Sequence, residues 1–491
     1  MRHILLILIC AVAAIAVQAK TRADIVVFSD PHLMAPALVK SEGTAVNNLA
    51  KGDMRMIVQS DAIVGELVKQ VLAVKPRLVL VTGDLTKDGE LASHKRFITH
   101  LDKLRQAGIQ VLVIPGNHDI NSPLGRYYDG AKTTAAPSVS ASEFAQLYRN
   151  YGYGSASVRD TASLSYACEP LPGYVVIGID SNRYQDNLWR SRGDSIDSRP
   201  SDGRIKPPTL EWVCQQARQA KAAGKHVIAM MHHQLVEHFD RESDFMARYM
   251  VAGAASVREQ LLDAGFHVIF TGHLHVTDAA RDYNSDRTDS ITDVATGSLC
   301  TYPLNYRLAT LKGGTLSYTT RSIKSIPGDS HLQAQARAQV EQAVPGLMEG
   351  LARRGFKKIQ GAMGHLGGIM SLFGAKSSDM PGMDPEPYIE LMHEQYDSIA
   401  RLAIITFLDG NEGKSKNSKA IIAGFESGMK KIFSAPMPDF GGGLLGKIGS
   451  FMQENAMPDV ENLLRSVVED RNHCGTEREV VVDDHTATLP L

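Results

Sequence analysis

Acidic, amide and imidazole side chains recur in five short clusters along this chain. They are Asp30 and His32 in Ser-Asp-Pro-His, Asp84 in Thr-Gly-Asp-Leu, Asn117 in Pro-Gly-Asn-His-Asp, His232 in Met-Met-His-His, and His273 and His275 in Gly-His-Leu-His. Hard oxygen donors mixed with several imidazoles suit Fe, Mn or Zn better than they suit the thiolate-rich set of a structural zinc site. Two divalent ions about 3.5–4 Å apart can ionise a bridging water at neutral pH and clamp both oxygens of a phosphoryl displacement. Such a pair needs one carboxylate between the metals, with mixed Asp, Asn and His groups completing two unequal shells. Taken singly the clusters are weak signals, because Asp-x-His and Gly-Asp are commonplace. Their order and their joint occurrence carry the reading.

Each cluster follows a short apolar run that reads as a buried strand: Ile25–Phe28, Leu78–Val81, Val111–Ile114, Val227–Met231 and His267–Phe270. Strand ends are where α/β folds place their chemistry. Helices are expected at Asp61–Ala73, His94–Ala107, Leu210–Ala223 and Val257–Ala264, the last three stopped by Gly108, Gly224 and Gly265. The alternation points to a layered α/β domain with a largely parallel sheet core. Leu299–Leu311 and Thr315–Ser322 read as antiparallel strands that close the second sheet. Beyond Gly328 the pattern turns helical, at His331–Gly355, Pro387–Leu408, Ser418–Phe433 and Val460–Asp470, with a last strand at Glu477–Asp483. Gly- and Met-rich segments, Gly361–Gly374 and Gly441–Met452, lie between these helices and read as core and turn material. The expected domains are residues 23–325, carrying the clusters, and a mainly helical region at 330–491.

A chain of 491 residues is too long for one ordinary domain, and 43% apolar with 22% charged residues describes a folded globular protein. Lys and Arg number 52 against 54 Asp and Glu, a net charge of −2 that argues against broad nucleic-acid binding. Met1-Arg2-His3, the apolar Ile4–Val17 and Val17-Gln18-Ala19 read as a signal peptide over residues 1–19, cut after Ala19. The apolar stretch is shorter than the ~20 residues that span a bilayer. The expected location is therefore periplasmic or secreted, and a membrane-surface role for Gly441–Phe451 is not favoured. Cys168, Cys214, Cys300 and Cys474 match no zinc-knuckle spacing and read as isolated thiols. Between Ser181 and Pro208, Arg183, Arg190, Arg192, Arg199 and Arg204 suggest a solvated loop, or alternatively one that contacts a phosphate.

The ordered clusters resemble the calcineurin-like metallophosphoesterase superfamily over roughly Ile25 to Leu311. Gly83-Asp84-Leu85-Thr86 and Gly116-Asn117-His118-Asp119 are similar to its bacterial exported phosphodiesterase branch. The resemblance implies a four-layer α/β/β/α sandwich, here with an added C-terminal helical region. It implies that Asp30, His32 and His275 hold one metal, that Asp84 bridges, and that Asn117, His232 and His273 hold the other. His118 matches the family's non-ligand His, which protonates the leaving oxygen or stabilises developing charge. Of the adjacent His232 and His233, the family pattern selects the first, leaving His233 facing substrate or supporting a ligand. Asp119 either orients His118 or caps the following turn. Asp88 sits one place off the position used by phosphoprotein phosphatases, and the Arg following theirs is absent. Tyr302 is a candidate substrate-pocket residue.

The implied activity is hydrolysis of a small phosphate ester, diester favoured, by attack of a metal-bridging hydroxide with two divalent ions (Fe, Mn or Zn). The alternatives are a phosphomonoesterase of the same fold, a non-catalytic metal-binding or scaffold protein, and an enzyme acting on phospholipid head groups.

Overall fold

The structure, a computed structural model, describes residues 23–51, 53–184, 202–371, 386–434, 457–470 and 482–491. Two sheets form its centre. The first has six strands in the order Thr486–Pro490, Thr315–Ser322, Asn305–Lys312, Ile25–Phe28, Leu78–Val81 and Gln110–Val113. The second has seven, in the order Asp278–Tyr283, Ser290–Ala295, Val268–Thr271, His226–Met231, Tyr174–Ile179, Tyr166–Leu171 and Val158–Arg159.

Period-two alternation decides which side chains meet where. In the strand His226–Met231, Ile228 and Met230 enter the core between the sheets. Val227, Ala229 and Met231 point the other way, onto Val213 and Ala217 of helix Pro207–Ala222 and Leu261 of helix Ala254–Asp263. Helices Ser60–Val74 and Leu91–Gln106 cover the first sheet, where the Phe28 and Phe97 rings meet edge-on at 6.4 Å. Helix, sheet, sheet, helix is the four-layer arrangement that the resemblance implies.

The hairpin formed by Asn305–Lys312 and Thr315–Ser322 departs from expectation. It joins the first sheet, not the second, with Val26 opposite Leu308 in antiparallel register. Its apolar alternation suits either sheet, and a pairing between segments so far apart in sequence is settled by tertiary packing. The C-terminal strand Thr486–Pro490 then adds to Thr315–Ser322, so the first sheet draws its edge from beyond residue 325.

Four helices build most of the C-terminal region: Leu332–Ser371, Glu386–Asp409, Ser418–Ser434 and Met457–Val468. The first continues from Gly361 to Ser371, within a segment whose composition points to a break between helices. Val340, Ile405 and Leu408 pack onto Leu274, Val276 and Ala295. Leu274 lies between His273 and His275, so the helical region buttresses that loop directly. Among the described residues, no helix is long and apolar enough to cross a membrane. Residues 1–22 and Gly441–Met452, along with Arg190, Arg192, Arg199, Cys474 and most of Glu477–Asp483, lie outside the described residues. Cys168, Cys214 and Cys300 are free thiols.

Candidate metal centre

Parallel register brings the clusters to one edge of the sandwich. Ile25–Phe28 pairs with Leu78–Val81 residue for residue, and Leu78–Val81 with Gln110–Val113, so Asp30, Asp84 and Asn117 follow adjacent strand ends. Met230 lies opposite Phe270 in the other sheet, which sets His232 beside His273 and His275. The backbone bends sharply at these positions. Asp30 (φ 49°), His32 (φ 39°), Asp84 (φ 48°), His273 (φ 64°) and His275 (φ 65°) all occupy the left-handed region that side chains other than Gly rarely adopt. Three glycines let the clusters interlock. A Cβ on Gly83 would strike the His232 ring, one on Gly116 the Asp84 carboxylate, and one on Gly272 Ser29 and Asp30. Each glycine that precedes an expected ligand thus makes room for a group from another strand.

The side chains form two groups that share Asp84. Asp30, His32, Asp84 and His275 make one, and Asp84, His232 and His273 the other, each offering donor atoms within 4.8 Å of one another. Asp84 Oδ2 lies 3.5 Å from His32 Nε2 and 3.5 Å from His232 Nε2, facing both. His275 Nε2 is 3.2 Å from Asp30 Oδ1, and His232 Nε2 is 3.1 Å from Asn117 Oδ1. Ligands ~2.0–2.2 Å from one ion stand about 3–3.5 Å apart, so these separations fit cation shells. Asp30 Oδ1 is buried without a hydrogen-bond partner, an orphan that a cation would satisfy.

Outer contacts set the tautomers. His232 Nδ1 faces the Thr82 carbonyl at 2.8 Å, so a proton sits there and Nε2 is the nitrogen left to face the cluster. His273 Nε2 faces the Arg248 carbonyl at 3.2 Å, which leaves Nδ1 to point inward. His32 departs from this pattern. Its Nδ1 meets the donor-only Arg55 Nη1 at 3.0 Å, so Nε2 holds a ligand lone pair only once Arg55 releases the ring.

The electrostatics call for positive charge. Burial alone would raise Asp84, yet the imidazoles of His232, His118 and His32 hold it well below the usual carboxylate range. Burial opposes charge on His232, but Asp84 and Asp30 push it up to about 9. Burial drives His273 down to about 3, the neutral form that binds metal.

His118 stands at the rim, its side chain 22% exposed. Its backbone N–H donates to Asp84 Oδ1 at 2.9 Å, and its ring Nδ1 lies 3.0 Å from Asp88 Oδ1. Burial disfavours charge on this ring, but Asp84 and Asp88 outweigh it and raise its pKa. The orienting carboxylate is therefore Asp88, itself paired with Lys87. Asp119 is engaged elsewhere: its oxygens accept from the backbone N–H groups of Leu85, Thr86 and Gly116 and from Thr86 Oγ1. It ties two motif turns together, and no described hydrogen bond joins it to the His118 ring.

His233 is wholly buried, with Nδ1 2.8 Å from Ser181 Oγ and its ring 4.5 Å from that of His273. It packs against His273. Tyr302 is half-buried and turns toward the helical region, where it hydrogen-bonds Asp409 and lies under the Arg337 guanidinium. That placement does not support a pocket role. Arg183 pairs with Asp202 at 3.7 Å. The signal for Asp88 was present in the Gly83–Gly89 turn. Arg55 follows no apolar strand, and nothing in its local sequence marks it.

The family model for calcineurin-like phosphoesterases matches residues 23–277. The chain belongs to that family. It is accordingly a metal-dependent phosphoric ester hydrolase, with Asp and His clusters able to hold metal. Among solved structures, a dimetal phosphatase from Danio rerio is 14% identical, with a TM-score of 0.39, over 61% of this chain and 95% of that one. A purple acid phosphatase from yellow lupin (Lupinus luteus) is 12% identical, with a TM-score of 0.39, over 61% of this chain and 51% of that one. The sulfate thiohydrolase SoxB of Thermus thermophilus is 15% identical, with a TM-score of 0.30, over 65% of this chain and 60% of that one. No curated protein matches the chain.

Proposed function

We propose that this calcineurin-like phosphoesterase is an exported two-metal enzyme that favours phosphodiesters. The observation that carries the metal reading is Asp84 Oδ2, equidistant at 3.5 Å from an imidazole of each group. Asp30, His32 and His275 would hold one cation, Asn117, His232 and His273 the other, and Asp84 both. Bound cations supply Lewis-acid charge, which activates water and neutralises phosphate oxygens.

The chain's own groups supply the rest. His118, raised in pKa and oriented by Asp88, delivers its ring proton from Nε2 to the departing alcohol oxygen. Arg55 is held by Asp53 through Nη2 and Nε, which leaves Nη1 at the His32 edge to donate to a phosphate oxygen. Handing that donor to substrate also frees His32 Nδ1 to carry the ring proton. Diester preference is supported by the resemblance of Gly83–Thr86 to the phosphodiesterase branch. Export is supported by Arg2, the apolar run 4–17 and Ala19. Iron, manganese and zinc all suit the donor set.

The test compares hydrolysis of bis-p-nitrophenyl phosphate and p-nitrophenyl phosphate by the mature chain, loaded with each metal and after chelation, alongside metal analysis. Two metals per chain and faster diester turnover are expected. Faster monoester turnover would replace the substrate class, and no turnover with any metal would leave a binding role.

A further inference from the structure

A second buried cluster joins the sandwich to the C-terminal region. Asp278 opens the strand Asp278–Tyr283, Asp470 follows helix Met457–Val468, and Asp484 precedes the strand Thr486–Pro490. One carboxylate oxygen from each lies within 4.8 Å of the others, and all three residues are buried. Glu412, in the turn after helix Glu386–Asp409, is 2% exposed. Burial, and then the charges of Asp278, Asp484 and Asp470, push its carboxyl well above the usual range, so it lies near the same cluster. Its Oε1 has no hydrogen-bond partner, and neither has Asp470 Oδ1.

Four buried carboxyls need neutralising. His238 Nδ1 reaches Asp278 Oδ2 at 3.2 Å. The buried Arg307 guanidinium goes to main-chain oxygens of Asp484, Asp278 and Ala295 and to Thr320 Oγ1 at 3.0 Å. Lys414 pairs with Asp483 at the edge. Backbone N–H groups of Ala279 and Asn411 satisfy Asp484, and Ala279 also satisfies Asp278. Even so, burial and mutual repulsion raise the carboxyls of Asp484, Asp470 and Glu412, the direction that a bound cation would reverse. A proton shared between the Asp278 and Asp484 carboxyls still leaves Glu412 Oε1 and Asp470 Oδ1 buried without a hydrogen-bond partner. The oxygens of Asp278, Asp470 and Asp484, up to 4.8 Å apart, match ligands ~2.3–2.6 Å from a large hard cation. Mg²⁺ keeps several waters and rarely takes such an all-protein cage.

We infer that Asp278, Glu412, Asp470 and Asp484 form a third cation site, of calcium type, which clamps the C-terminal region onto the catalytic sandwich. The site gathers the turn after one helix, the end of another and the approach to the last strand onto Asp278, three positions beyond His275 in the sequence. Its ion is structural and separate from the hydrolytic centre.

The test uses the full mature chain, chelated and then saturated with Mn²⁺, and titrates Ca²⁺ by calorimetry and thermal unfolding. One Ca²⁺ per chain is expected, with Kd below about 1 mM and a Tm rise of about 2–5 °C. Glu412→Gln and Asp470→Asn should each abolish uptake and the Tm rise, with Mn²⁺ content and diester hydrolysis within about twofold of wild type. Tb³⁺ luminescence, displaced by Ca²⁺ and weakened by Tyr318→Phe beside Arg307, reads the site with its carboxylates intact. No Ca²⁺ uptake by the wild type, uptake unchanged in both carboxyl variants, or Ca²⁺ entering only as Mn²⁺ leaves would each overturn the inference.

Discussion

Carboxylates are buried in two places in this molecule, in contrasting company. At the strand ends, Asp30 and Asp84 stand among imidazoles and an amide, on a backbone bent into the left-handed region at five positions. Against the C-terminal region, Asp278, Asp470 and Asp484 meet Glu412, with His238 beside Asp278. A mixed set in which His232 and His273 turn one nitrogen each to a carbonyl oxygen suits borderline cations that change the acidity of water. An oxygen set drawn from chain segments far apart suits a hard ion that holds those segments together. The difference separates a centre built for turnover from one built for docking.

Substitutions at the two places should therefore separate turnover from stability. Asp84→Ala should have the largest effect, lowering diester hydrolysis by about 10⁴-fold or more. Metal analysis should find fewer than two ions per chain, and full occupancy would break the bridging assignment. His118→Ala should slow turnover by about 10²–10⁴-fold with metal content unchanged, and metal loss would show that its role is misassigned. Asp88→Asn should cost less, about 10–10²-fold in kcat, whereas Asp119→Asn should lower Tm more than it lowers kcat. Arg55→Ala should raise KM about tenfold with a smaller change in kcat, read by steady-state kinetics.

The smallest effect concerns a carboxylate outside both clusters. Burial works against Asp61, but hydrogen bonds from His100 and Arg96 hold its pKa below the ordinary value. Its contribution to stability is present above the unfolded pKa near ~3.9 and is lost as pH falls through that value toward the folded one. Asp61→Asn should lower Tm by about 1–2 °C at pH 7 and by less near pH 3, without touching either cluster. An equal drop at both pH values would refute the ion-pair account.

Much of the hydrolytic centre was legible because strand runs and glycines accompany its residues. Ile25–Phe28, Leu78–Val81 and the other apolar runs occur where strands form, and Gly83, Gly116 and Gly272 mark close approaches. The hairpin at residues 305–322 was placed in the wrong sheet because its alternation fits either one. Asp119 is next to His118 in the chain, yet its carboxylate binds the turns at Leu85, Thr86 and Gly116. Asp88 reaches the ring from another loop. Of the second cluster nothing was legible: Asp278, Glu412, Asp470 and Asp484 lie in four separate segments, with no shared spacing to betray them.

The order of residues by itself determined the donor types, their attachment to strand ends and the layered α/β class, since these follow from local periodicity and side-chain chemistry. Only the tertiary structure decided which carboxylate faces both imidazole groups, which one orients His118, and where the chain's last strand pairs. Those outcomes depend on register and packing between segments up to hundreds of residues apart, and local sequence exerts no force across that distance until the chain has folded.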